Sequence, residues 1–90
     1  MLILISYDLD QPGRSDAYEA VRERIVGAAA EVRRTMHSQW LVVSDDGLDT
    51  WVERLRDLLT PADRLLVTRI SGPVNGWLPR EHWDWINEHA

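Results

Sequence analysis

The first third of the chain contains a short apolar run followed by an amphipathic one. Residues 2–9 are rich in strand-forming side chains, and residues 10–13 have the composition of a turn. A helix is predicted from Ser15 or Asp16 to about Ala29, with Glu19 completing a capping-box pattern after Asp16. The helical spacing is carried by Tyr18, Val21, Ile25 and Ala28.

The middle of the chain contains two β-prone runs and a second amphipathic stretch. Residues 31–36 and 38–44 are predicted as paired strands that are separated by His37 and end at the turn 45–47. From Leu48 onward, apolar positions form one helical stripe with charged positions opposite. This helix is predicted to stop at Thr60-Pro61, because proline breaks a helix.

The last third adds a strand and a tryptophan-rich tail. Residues 65–70 are predicted as a strand, and a helix follows from Pro79 to His89. The order predicts an α+β, ferredoxin-like βαββαβ sandwich: a four-stranded antiparallel sheet with two helices on one face, plus a short C-terminal helix. We expect a single domain over 1–90, with a core at 1–74 and the tail at 75–90.

Two helices can cover only one face of such a sheet, and neither face of the first strand is cleanly polar. Leu2, Leu4 and Ser6 point to one side, whereas Ile3 and Ile5 point to the other. A second protomer, or its tail, would bury the uncovered apolar residues. The pattern therefore predicts a homodimer.

Composition narrows the class of protein. The 90 residues are 44% hydrophobic and 28% charged, as in a folded globular domain. The chain has no cysteine, which excludes disulfides, thiolate metal sites and cysteine nucleophiles. Its longest apolar stretch is too short to span a membrane and no basic segment precedes it, so we expect a cytoplasmic protein without a membrane partner.

The charge balance limits nucleic-acid binding. The net charge of −5 opposes a sequence-independent grip on phosphates unless basic side chains are gathered on one side. Every cation is arginine, which suits bidentate recognition of phosphate or carboxylate but also follows from a coding bias.

Four segments together resemble a known family: residues 4–9 (LISYDL), 38–42 (SQWLV), 63–67 (DRLLV), and the tail with Trp77-Leu78-Pro79 and Trp83-Asp84-Trp85. The set resembles the SinR-like family over nearly the whole chain. That family is similar to the CRISPR-associated Cas-two proteins, which take part in spacer acquisition, and to VapD-type ribonuclease toxins. The resemblance implies a homodimeric ferredoxin-like protein that binds RNA or DNA, with metal-dependent endonuclease activity.

The resemblance also implies a site. In the nuclease relatives an aspartate at the end of the first strand is the proposed metal ligand, and here that position is Asp8. Two Asp8 side chains meeting at a two-fold axis would repel each other unless a cation such as Mg²⁺ lay between them. The sequence departs from the relatives at Gln39 and Trp40 and in the tryptophan-rich tail, which replaces an exchanged final strand.

Candidate site residues have structural interpretations beside the functional ones. Asp8 and Asp10 are separated by one residue, so both side chains should lie on the same side of the strand and could approach one metal ion. Aspartate at a strand end is also common in turns, where its side chain bonds to nearby backbone amides. Tyr7 is a catalytic candidate or a core aromatic residue. Arg33 and Arg34 should face opposite ways, so only one can contact a phosphate at any one surface.

Three further residue types have weaker functional signals. Ser38 is a nucleic-acid-binding candidate from the resemblance, but a nucleophilic pair with His37 is disfavoured because adjacent strand residues diverge. Two turns of helix separate His82 from His89, too far for one ion, so surface positions are expected. Trp77 and Trp85 are candidates for a protein-partner surface.

Three functions stay open at this point. The first is a metal-dependent endonuclease or nucleic-acid-binding homodimer centred on Asp8. The second is a non-catalytic dimeric scaffold or protein-interaction module. The third is a metal-independent, toxin-like ribonuclease that uses Tyr7 and an arginine.

Overall fold

The computed structural model describes residues 1–10 and 14–89, and these contain four strands and three helices. Predicted turn positions 11–13 lie outside the described residues. The elements, in chain order, are β1 (Leu2–Asp8), α1 (Ser15–Ala28), β2 (Glu31–Met36), β3 (Gln39–Val43), α2 (Leu48–Arg56), β4 (Arg64–Arg69) and α3 (Arg80–His89).

The strands form one antiparallel sheet in the order β2-β3-β1-β4, and the predicted fold class is confirmed. Strand β1 is central: Ile5 lies opposite Trp40 of β3 and Val67 of β4. Because directly opposed residues share a face of the sheet, this register assigns every strand residue to one of two faces.

The inner face of the sheet packs against α1 and α2. Ile3, Ile5 and Tyr7 alternate along β1 and are buried, as the strand periodicity predicts. Val21 and Ile25, one helical turn apart, bring α1 onto this face, and α2 contributes a buried pair with the same spacing. The core cluster is completed by Leu9, Trp40, Val42, Trp51 and Leu55.

The start of α1 differs from the prediction. Arg14 is the N-cap and no side chain caps the helix, so the expected capping box at Asp16 is wrong. Glu19 instead accepts hydrogen bonds from Arg22, three residues later in the same helix. In a capping box, the carboxylate of Glu19 would accept a hydrogen bond from a backbone N–H at the start of the helix. Here the guanidinium of Arg22 donates to that carboxylate instead.

The outer face is partly covered by the chain's own C-terminal helix. Ile86 of α3 is buried with Leu2 of β1 and Leu41 of β3, while Trp83 and Trp85 pack against this cluster. The expectation that this face is bare within one chain is therefore wrong for the half near the start of β1. The half near the end of β1 carries Leu66, whose surface is 61% exposed.

None of the helices in residues 1–10 and 14–89 is long and apolar enough to cross a lipid bilayer.

Candidate functional site

A cavity of about 630 Å³ opens where β1 ends and α1 begins. Both acidic and basic residues line it, and an aromatic residue forms part of its wall. Its volume is in the range of small-molecule sites. The lining residues are Asp8, Leu9, Asp10, Arg14, Ser15, Tyr18, Glu19, Arg22, Arg34 and His37.

One wall of the cavity is held in place by Asp63, which lies just before β4. Its carboxylate accepts hydrogen bonds from the backbone N–H of Asp10 at 2.7 Å and of Thr60 at 2.8 Å. It also pairs with Arg14, and its side chain has no exposed surface. These donors, Arg14 first, hold the pKa of Asp63 well below its usual range, so the carboxylate stays ionised.

Three arginines line the cavity: Arg14 at the N-cap of α1, Arg22 within α1 and Arg34 on β2. Arg14 is held by Asp63 and by the carbonyl oxygen of Asp10, to which its guanidinium donates at 3.1 Å. Arg22 pairs with Glu19 at 2.7 Å on the exposed side of α1. The pairing with Arg22 lowers the pKa of Glu19, because the cation stabilises the ionised carboxyl.

The third cavity arginine, Arg34, is on β2. Its guanidinium donates to the carbonyl oxygen of His37 at 2.6 Å and lies over the ring of Trp40, 5.3 Å from the centroid. These contacts orient a cation that forms no salt bridge among residues 1–10 and 14–89. Its charge is therefore available to an anion entering the cavity.

The aromatic part of the wall is a small stack. The ring of Tyr18 lies 5.0 Å from that of His37, and its hydroxyl accepts a hydrogen bond from the N–H of Leu9 at 3.3 Å. The Leu9 bond ties α1 to the segment that follows β1. The cavity mouth is thus fixed on the side next to Asp8 and Asp10.

Asp8 and Asp10 both line the cavity and both are exposed. Their place in one lining is consistent with the expectation that both could approach the same metal ion. No group of three or more metal-ligating side chains occurs in the described part of the chain. A metal ion at this position would therefore take one or two carboxylates from one chain and complete its shell with water or substrate oxygens.

Tyr7 has the environment of a core residue. It is 4% exposed, and its hydroxyl accepts a hydrogen bond from the indole N–H of Trp40 at 3.0 Å. Burial raises the pKa of the Tyr7 hydroxyl. This placement favours the structural interpretation of Tyr7 over the catalytic one.

The two adjacent arginines of β2 do face opposite ways. Arg34 reaches the cavity, whereas Arg33 bonds to His82 of α3 on the outer face. Ser38 lies in the β2–β3 turn, where its carbonyl oxygen accepts a hydrogen bond from the N–H of Tyr7 at 3.0 Å. Of the three predicted nucleic-acid-binding residues, only Arg34 lines the cavity.

The candidate residues of the tail do not line the cavity. His89 bonds to Glu31 and packs on Trp85, whose ring centroid lies 4.3 Å from that of His89. Both tail histidines are half-buried at the surface, and each also bonds to a residue of β2. Trp77 is 99% exposed, as a partner-surface candidate would be.

Sequence reasoning missed Asp63, Arg14, Arg22 and Tyr18 as site residues. Asp63 lies 53 positions from Asp10, and no local pattern joins them. The turn 60–63 did contain a signal, because an aspartate three residues after a threonine at a proline turn can accept the threonine N–H. Tyr18 was interpreted only as part of a helical stripe.

In comparisons with known proteins, the sequence matches no family model and no curated protein.

Proposed function

We propose that the protein is a homodimeric, SinR-like and Cas-two-like nucleic-acid-binding protein with metal-dependent phosphodiester cleavage centred on Asp8. One observation carries the proposal: Asp8 is exposed on the wall of a cavity that it shares with Arg14, Arg22 and Arg34. Phosphodiester cleavage needs a carboxylate for a metal ion and cations for the phosphate in the same place.

The local charge supports binding of one phosphate with a cation. The lining holds three arginines against Asp8, Asp10 and Glu19, so it is balanced although the whole chain carries −5. A balanced cavity accepts a phosphate together with a divalent ion. It does not provide the basic track that a long duplex requires.

The donor set fits Mg²⁺ in its usual protein environment. Asp8 and Asp10 would hold the ion, and Mg²⁺ is commonly bound through one or two carboxylates plus phosphate oxygens. When bound, the ion polarises a water or a phosphate oxygen. The chain's own arginines orient the phosphate, and Tyr18 with His37 limits the room for bulk water on one side.

The position of Asp8 supports a role for a second copy. In the register of the sheet, Asp8 lies opposite Arg64 and on the outer face with Ser6. This half of the face is the one that α3 leaves open, and it carries exposed Leu66. A second copy docking here would bring the two Asp8 residues toward the same seam and add the carboxylates that one chain lacks.

A non-catalytic scaffold is the second candidate, and Trp77 favours it. A tryptophan that is 99% exposed leaves a large apolar surface in water, which is typical of a partner-binding surface. The metal-independent ribonuclease is disfavoured, because the hydroxyl of Tyr7 is buried and engaged by Trp40.

A cleavage assay on matched variants tests the proposal. Asp8→Asn and Asp45→Asn make the same change at opposite ends of the sheet, both at exposed positions, so Asp45→Asn controls for charge. We expect cleavage of labelled RNA or duplex DNA with Mg²⁺ or Mn²⁺ by the wild type and by Asp45→Asn, and a loss of at least about 100-fold in Asp8→Asn.

The remaining outcomes decide between the candidates. Cleavage that survives chelator and Asp8→Asn but is lost in Tyr7→Phe would support the metal-independent ribonuclease. Absence of both cleavage and low-salt binding of RNA and DNA by the wild type contradicts the proposal and supports the scaffold.

A further inference from the structure

The C-terminal helix α3 is fastened to strand β2 by two histidines. His82 and His89 project from α3 toward the outer face, where each bonds to a charged residue of β2: Arg33 for His82 and Glu31 for His89. Between them, Ile86 is buried against Leu2 and Leu41. The polar contacts thus flank the apolar contact by which α3 covers the sheet.

His89 needs to be protonated to make both of its hydrogen bonds. Its Nδ1 lies 2.8 Å from the carbonyl oxygen of Trp85, and its Nε2 lies 2.7 Å from a carboxylate oxygen of Glu31. Both partners are acceptors, and only the imidazolium has two N–H donors. The Trp85 carbonyl and the Glu31 carboxylate accordingly raise the pKa of His89, with Glu88 acting in the same direction.

His82 makes the second polar contact between α3 and the sheet. Its Nδ1 accepts a hydrogen bond from the Nε–H of Arg33 at 2.8 Å. The two histidines of α3 therefore contact β2 in opposite senses, because His82 accepts from Arg33 and His89 donates to Glu31.

We propose that α3 is a pH-gated cover of the outer sheet face, closed when His89 carries a proton on both nitrogens. The sign of the effect follows from the hydrogen bonds. As the pH rises through the folded-state pKa of His89, one of its two bonds is lost, and the hold of α3 on β2 weakens. Opening exposes Leu2 and Leu41.

Hydrogen exchange of the α3 amides, corrected for intrinsic rates, measures this opening from about pH 5 to about pH 9. We expect protection of α3, relative to α1 in the same molecule, to fall by about threefold to tenfold as the pH rises across this range.

Substitutions at the three histidines test the assignment to His89. His89→Arg keeps a cation with several donors at every pH, so it should remove the alkaline decrease. His82→Gln keeps an acceptor for Arg33 and should leave the alkaline decrease in place. His37→Gln changes the remaining histidine, which lies in the β2–β3 turn, and should also leave the decrease as in the wild type.

Three results would overturn the proposal. One is protection of α3 that does not vary with pH relative to α1. Another is an alkaline decrease that survives in His89→Arg, because other groups would then control the helix. The third is a loss of the decrease in His37→Gln as large as that in His89→Arg. The measurement needs no nucleic acid or metal, so its result is independent of nuclease activity.

Discussion

Tyr7 and Asp8 are adjacent in β1, and the alternation of a strand gives them opposite environments. Tyr7 points to the inner face, where Trp40 bonds to its hydroxyl, whereas Asp8 is exposed on the outer side and at the cavity. The same rule separates Arg33 from Arg34. The register therefore places Asp8 with Arg33 on the outer face and Tyr7 with Arg34 on the inner face, and Asp8 lines the cavity from the end of β1, where the cavity opens.

Asp63 should make folding stability depend on acid pH. Its pKa is lowered in the folded protein, so its contribution is present above the unfolded pKa, near pH 4, and is lost as the pH falls toward the folded pKa. We expect Asp63→Asn to have a lower Tm at neutral pH and a smaller loss of Tm between about pH 4 and about pH 2.

Thermal unfolding followed by circular dichroism measures this difference. Asp45→Asn, at an exposed turn position, is the matched control and should show the wild-type pH profile. An Asp63→Asn profile parallel to that of the wild type would contradict a lowered pKa of Asp63 in the folded protein.

At the scale of secondary structure, local periodicity was sufficient to predict the elements and their order. Val21 and Ile25 are spaced as a helix requires, and the alternation in β1 predicted which residues share a face. Predictions failed where another partner competes for a side chain. Arg22, one turn along the same helix, takes Glu19 from the expected cap. Asp63 bonds to Asp10 across 53 positions, and no local pattern joins these two residues.

The sequence predicted a helix in the tail, but it did not predict that this helix packs on the outer face of the sheet. The contacts that hold it on the sheet are with strands distant in sequence. We expect Ile86→Ala to destabilise the protein by about 2–4 kcal/mol, because it removes buried methyl groups and leaves a cavity.

The loss from Ile86→Ala should appear first in α3, as weaker amide protection there than in α1. Denaturant unfolding and hydrogen exchange measure the two effects. Asn87→Ala, an exposed position of the same helix, is the control and should change stability by less than about 0.5 kcal/mol. Equal behaviour of the two variants would show that Ile86 is not a docking contact.

At the scale of the whole molecule, the outer face combines an apolar half covered by α3 and an open half that includes Asp8. The chain's net charge of −5 opposes close approach of two copies. Along the open half, however, Asp8 of β1 lies opposite Arg64 of β4, and neither forms a salt bridge within residues 1–10 and 14–89. Opposite charges beside an apolar residue can compensate for that repulsion in a two-fold pair.

Leu66 is the residue by which this self-association can be tested. It lies opposite Ser6 on the outer face and is 61% exposed in the single chain. If a second copy covers it, Leu66→Glu buries an unpaired carboxylate, and the dimer Kd should rise by more than about tenfold. Val26→Glu makes the same change at an exposed apolar position of α1 and should leave the dimer intact. Sedimentation velocity over a concentration series measures both; a monomeric wild type, or equal weakening by both variants, would contradict a dimer through this face.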